Sequence, residues 1–160
     1  MTIKIKLNHI LAAITTALLA LCVASVYGPI RFDNERKDRE AAVKERLMAI
    51  RNAEETYRKQ HGTYAASFKQ LVESRLIGDT MQYVPYSGGK CFELATSIHT
   101  GKAGTPVPLM ECRTTYEVYL SGLDEKRIEE LIDKANGLGQ YPGLKIGDIT
   151  TPNDNAGNWE

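Results

Sequence analysis

Histidine, cysteine and tryptophan are scarce in this chain, with three, three and one among 160 residues. His9, His61 and His99 lie too far apart in sequence to propose a metal site, and no H-E-x-x-H motif occurs. Gly88-Gly89-Lys90 lacks the upstream glycine of a phosphate-binding loop. Gly137-Leu138-Gly139 lacks the later glycine of a dinucleotide fingerprint and reads as a helix stop. No serine stands in a nucleophile motif. The sequence therefore predicts neither an enzyme nor a cofactor. Net charge is missing as well, twenty Lys and Arg balancing twenty Asp and Glu, so no nucleic-acid partner is expected. The length leaves room for one ordinary domain and one accessory segment, and a multidomain enzyme is excluded.

The charge that is present is unevenly placed. Residues 1–30 carry two basic and no acidic side chains, residues 31–75 eleven basic against eight acidic, and residues 76–160 seven against twelve. A mean hydropathy of −0.32 thus averages an apolar N-terminus with a soluble remainder.

From Leu7 to Gly28 there are 22 consecutive residues without Asp, Glu, Lys or Arg. At about 1.5 Å per residue this crosses a hydrocarbon core of roughly 30 Å. Lys4 and Lys6 precede the run, which predicts a single-pass anchor in the inner (cytoplasmic) membrane, its N-terminus cytoplasmic and the bulk periplasmic or extracytoplasmic. Residues 1–30 then form the N-terminus and anchor, and 31–160 an exported domain. A cleaved secretory signal fits the same stretch, with Val23-Ala24-Ser25 as cleavage site, and it too exports the domain. Lipid attachment at Cys22 is disfavoured by the bulky Leu21 before it.

Past Gly28-Pro29 and the charged run Arg31–Arg39, the residues Val43, Leu47, Ile50 and Tyr57 recur at four, three and seven, which marks one face of a helix continuing to Gln60. This stripe is assigned to core packing. The paired acids Glu54-Glu55 and Glu129-Glu130, consecutive on their helices, are expected to be solvated. Ser67-x-x-Gln70 has the form of a capping box opening a short helix with Phe68, Leu71 and Val72 inward. From Met81 the texture turns to strand and turn residues. Lys90–Thr100 and Val107–Leu120 read as an antiparallel hairpin, a helix is expected from Asp124 to Asn136, and a last strand over Leu144–Ile149.

Folding the hairpin about Gly101-Lys102 sets Cys91 opposite Cys112, and in an oxidising compartment the pair is expected to form a disulfide closing a loop worth about 3 kcal/mol. Asp148, Asn153, Asp154 and Asn155 supply hard oxygen ligands in a short stretch, which suits calcium, but they are also ordinary turn residues.

The apolar span ending in Pro29, then Ala41-Ala42-Val43, Leu47, Ile50, Ala53 and Tyr57, then Gly62-Thr63-Tyr64 and a short helix with Leu71, resembles the N-terminal half of type IV pilins and type II secretion pseudopilins over residues 10–77. The resemblance implies an α+β fold in which a long N-terminal helix, half membrane anchor and half soluble, packs on a small antiparallel β-sheet. It also implies a non-enzymatic structural subunit of a cell-envelope secretion or pilus-like assembly. Its partners would be membrane lipid, through residues 7–28, and other protein subunits, self included. The chain departs from the family's Gly-Phe-Thr-Leu-x-Glu processing site: aligned on Pro29, Leu7-Asn8 stand at the cleavage point and Ala12 at the glutamate. The matching expectation is a pilin-like protein that stays uncleaved. The alternative is a secreted or tethered periplasmic binding module that uses Tyr83, Tyr86, Tyr141 or Trp159 to hold a small ligand or glycan.

Overall fold

The computed structural model describes residues 2–100 and 104–160. Its elements are helix α1 (Thr2–His61), helix α2 (Phe68–Glu73), a 3₁₀ turn (Asp79–Gln82), strands β1 (Glu93–Thr100) and β2 (Pro106–Thr115), helices α3 (Tyr116–Tyr119) and α4 (Glu125–Gly137), and strand β3 (Gly143–Gly147). The class is α+β, with a long N-terminal helix and a three-stranded antiparallel sheet of order β1-β2-β3. Contacts divide the chain into one unit that ends at Lys37 and a second, Asp38–Glu160.

In the first unit the helix runs through Pro29 without a break. Along the apolar span the large side chains are exposed, Leu7, Ile10, Leu11, Ile14, Leu18, Leu21 and Val26 among them and Leu19 at 66%, whereas Phe32 beyond it is buried. The hydroxyls of Thr15, Thr16 and Ser25 donate back to the carbonyls of Leu11, Ala12 and Leu21 at 2.9, 2.9 and 2.8 Å. These three hydroxyls thus find partners within the helix, as a hydrocarbon surrounding favours. By length and composition this helix can cross a membrane.

In the second unit Val43, Leu47 and Ile50 are fully buried and Tyr57 is half-buried, stacked on His61 with ring centroids 4.2 Å apart. The sheet contributes Met110, Cys112, Leu144 and Ile146 to the buried set, and the segments around it add Phe68, Leu71, Tyr119 and Leu120. Gly147, with φ +71, lets β3 close on β2, since a Cβ there would stand 2.1 Å from the Met110 carbonyl oxygen. Beyond it the tail returns along β3: Gly147 N–H donates to Ala156 at 3.0 Å and Asn158 N–H to Lys145 at 3.0 Å, with a bridge between Ile146 and Gly157.

Several expectations are corrected. The hairpin register pairs Leu94, not Cys91, with Cys112, a shift of three residues. The predicted fold point, Gly101-Lys102, lies outside the described residues. Cys91 bridges to Tyr83 instead, and Cys22, Cys91 and Cys112 are free thiols, so the expected disulfide is absent. The physical reason is turn length: the connection from Thr100 to Pro106 is longer at its far side than a fold about residues 101 and 102 assumes, and turn length fixes register. The second strand stops at Thr115, where Pro142 accepts the Tyr116 N–H at 3.0 Å and a helical turn begins. Ser67 makes no side-chain cap, and Gln70 accepts from the Ala66 N–H at 2.7 Å, one residue before the N-cap, so the expected box does not form. Asp124, at the expected start of α4, caps it by accepting from Arg127 N–H at 3.3 Å.

Candidate functional site

Two features of α1 organise the second unit, and both come from side chains beside the apolar stripe. With about 100° per residue, Arg39 and Arg46 lie on one flank of the stripe and Arg51 and Arg58 on the other. Each grips a different part of the chain. Arg39 donates to the carbonyls of Tyr119 and Ser121 at 3.1 and 2.9 Å, and Arg46 to that of Tyr83. Arg51 reaches Glu160 at 3.0 Å and the Asn155 carbonyl at 3.4 Å, and Arg58 donates to the Tyr64 hydroxyl at 3.0 Å. A guanidinium's planar fork suits such paired carbonyl contacts, which a lysine ammonium holds less well.

The second feature is Glu54. It occupies the stripe position between Ile50 and Tyr57 and is fully buried, against the expectation of a solvated pair with Glu55. Its Oε2 accepts the Ala65 N–H at 2.9 Å, while Oε1 has no hydrogen-bond partner among the described residues. Burial pushes this carboxyl up to about 7, and the Ala65 hydrogen bond holds it from going higher. Its charge acts on Cys112 of β2, whose thiol is pushed far up, first by burial and then by Glu54. The missed signal was in the spacing, since 43, 47, 50, 54 and 57 advance by alternating fours and threes. Glu129 and Glu130 are exposed as expected.

At the end of α1 a groove of about 500 Å³ opens between Arg58 and Lys59, the Val107-Pro108-Leu109 stretch of β2 and the tail residues 152–155. Tyr64 stands in it, bonded by Asn155 Nδ2 at 2.8 Å and covered by the Arg58 guanidinium 5.3 Å from its ring centroid. A neighbouring groove of about 530 Å³ shares Tyr64, Pro108 and Leu109 and extends to Thr96, Ser97 and Ile98 of β1. The lining combines the charged Glu55, Arg58, Lys59 and Asp154 with amides, a hydroxyl and aliphatic side chains, a chemistry of binding and packing.

Two of the residues considered for calcium have other partners in the structure. Asp148 Oδ1 accepts from the N–H groups of Thr150 and Thr151 at 2.7 and 3.1 Å and from the Thr150 hydroxyl, which hold its carboxyl well below the usual range, and Asn155 serves Tyr64. Among the described residues no three His, Cys, Asp or Glu side chains are placed to hold a metal ion. The aromatic residues considered for ligand binding are dispersed: Tyr86 lies under Arg39, Trp159 under Lys44 and Tyr141 under Arg113, at 5.1, 5.5 and 5.9 Å, and Tyr83 sits at the Cys91 bridge.

No protein-family model matches the sequence, and neither does any curated protein or solved structure.

Proposed function

We infer that the chain is a non-enzymatic, membrane-anchored, pilin-like structural subunit of a cell-envelope assembly that works through protein contacts. The observation that carries this reading is the first unit's helix: large apolar side chains exposed along the span, with the hydroxyls of Thr15, Thr16 and Ser25 satisfied inside the helix. A helix this long with large apolar side chains exposed along it suits a lipid surrounding. The same helix supplies the buried stripe of a small α+β domain, which is the division of labour the resemblance to pilins implies. The N-terminus stays cytoplasmic in this reading, and the absent processing site leaves the chain uncleaved in the inner membrane. Cross-linking in native membranes followed by identification of neighbours tests it. Recovery of envelope-assembly subunits or of the chain itself supports the reading, and a cytosolic distribution contradicts it.

A second reading has an observation of its own. The groove around Tyr64 suits a small ligand, as a tethered or secreted binding module would offer, and a signal peptide cleaved near Ala24 would release such a module. The intact mass of the native protein separates the two.

A further inference from the structure

β1 is an edge strand. Just before it Cys91 bridges to Tyr83, but over Glu93–Thr100 the only strand paired with it among the described residues is β2. An edge of eight residues presents a row of backbone donors and acceptors, which folded proteins ordinarily blunt with proline, lysine or a covering segment. The open part of β2 is blunted in this way: β3 covers only Glu111–Thr115, and the uncovered stretch carries Pro106 and Pro108. β1 contains neither proline nor lysine, and it exposes Ile98 to 69%.

We propose that β1 is a homodimerisation edge, pairing antiparallel with β1 of a second copy about a two-fold axis at Thr96. In an antiparallel ladder, opposite residues either both point their N–H and C=O groups at each other or both point them away. Two copies of one edge satisfy this only if residues of the same parity face each other, so the axis must pass through a residue and not between two. Centres at Thr96 and Ser97 each pair seven residues of the strand, and the Thr96 centre gives the complementary side-chain pairs. It sets Glu93 opposite His99, a carboxylate facing an imidazole N–H donor. It sets Leu94, half-buried, opposite the exposed Ile98, and Ala95 opposite Ser97. Each of these contacts occurs twice, as an isologous interface requires. Leu94, Thr96 and Ile98 share one face of the strand, and two of them line the groove beside Tyr64, so the pairing also encloses that groove. The inference deepens the structural-subunit reading by naming a partner and a surface, and it does not depend on the anchor.

The test uses the full chain in detergent micelles with Cys22→Ser and Cys91→Ser, leaving Cys112 in the core. Thr96→Cys in this background is expected to oxidise to a reducible covalent dimer, since its counterpart's Cβ lies roughly 5 Å away in such a pair. Ala95→Cys alone, which faces Ser97, is expected to cross-link several-fold more slowly, and Ala95→Cys with Ser97→Cys to recover the fast rate. Ile98→Lys, at an exposed position that leaves folding intact, should reduce the cross-linked fraction of Thr96→Cys. The proposal is overturned if folded Thr96→Cys stays monomeric, if Ala95→Cys and Thr96→Cys cross-link equally, or if light scattering finds only monomer, which would leave the edge to a different chain's strand. An intact mass lacking the N-terminal residues would end the anchored-subunit reading without touching this result.

Discussion

Glu54 holds the backbone N–H of Ala65 at 2.9 Å from inside the core, fastening the chain just beyond α1 to the helix it has left. The contact satisfies a buried backbone donor, at the cost of a desolvated carboxyl whose second oxygen has no partner among the described residues.

That arrangement makes stability depend on pH. The native carboxyl titrates near 7, against 4.5 ordinarily, so between these values the folded state holds a proton that the unfolded state has released. The contribution of Glu54 is then fully present below about pH 4.5, falls by roughly 3 kcal/mol as pH rises to about 7, and is flat above. Glu54→Gln keeps an acceptor for Ala65 and removes the charge. Urea unfolding at pH 5 and pH 8 should find the substitution close to neutral at the lower pH and stabilising at the higher. A wild-type chain equally stable at both would contradict this.

Leu47→Ala should cost about 2–5 kcal/mol, because Leu47 is fully buried in the stripe, whereas Tyr57→Ala, half-buried at the end of the helix, should cost distinctly less. Equal losses in chemical denaturation would mean that the stripe does not end where the structure places it.

Much of this fold was legible in the sequence, and the parts that were not share a cause. Val43, Leu47 and Ile50 announce the helix by period alone, and Gly62, Gly137 and Asp124 mark helix ends through local backbone chemistry. Glu54 broke the apolar pattern at a core position, and what makes it tolerable is the Ala65 N–H, a contact between segments that periodicity does not describe. The register of Cys112 against Leu94 is set by the length of the turn between β1 and β2, and an error of three residues there was enough to create a disulfide on paper. Arg39, Arg46 and Arg51 looked like ordinary surface charge, since Tyr83, Tyr119, Ser121 and Asn155, whose carbonyls they grip, lie 37 to 104 residues away.

The thiols should report the corrected register. In the native chain Cys91 is exposed and should be alkylated readily, while Cys112, buried and with its thiol pushed far up, should react only on unfolding. Mass analysis with and without reductant should give the same alkylation pattern. Protection of Cys91 that reductant relieves would restore the disulfide.

Arg39 should be hard to replace by lysine. Its Nη1 serves the carbonyls of Tyr119 and Ser121, so Arg39→Ala is expected to cost about 1–3 kcal/mol and Arg39→Lys to recover only part. Full recovery by lysine in thermal unfolding would show that charge alone matters there.

The most direct test of the account as a whole is the intact mass of the native protein extracted from carbonate-washed membranes. The account predicts a full-length chain of 17.8 kDa in the membrane fraction. A chain lacking its first 25 or so residues, recovered in soluble form, would contradict it, as would loss of about seven residues with a methylated new terminus, the mark of standard pilin processing.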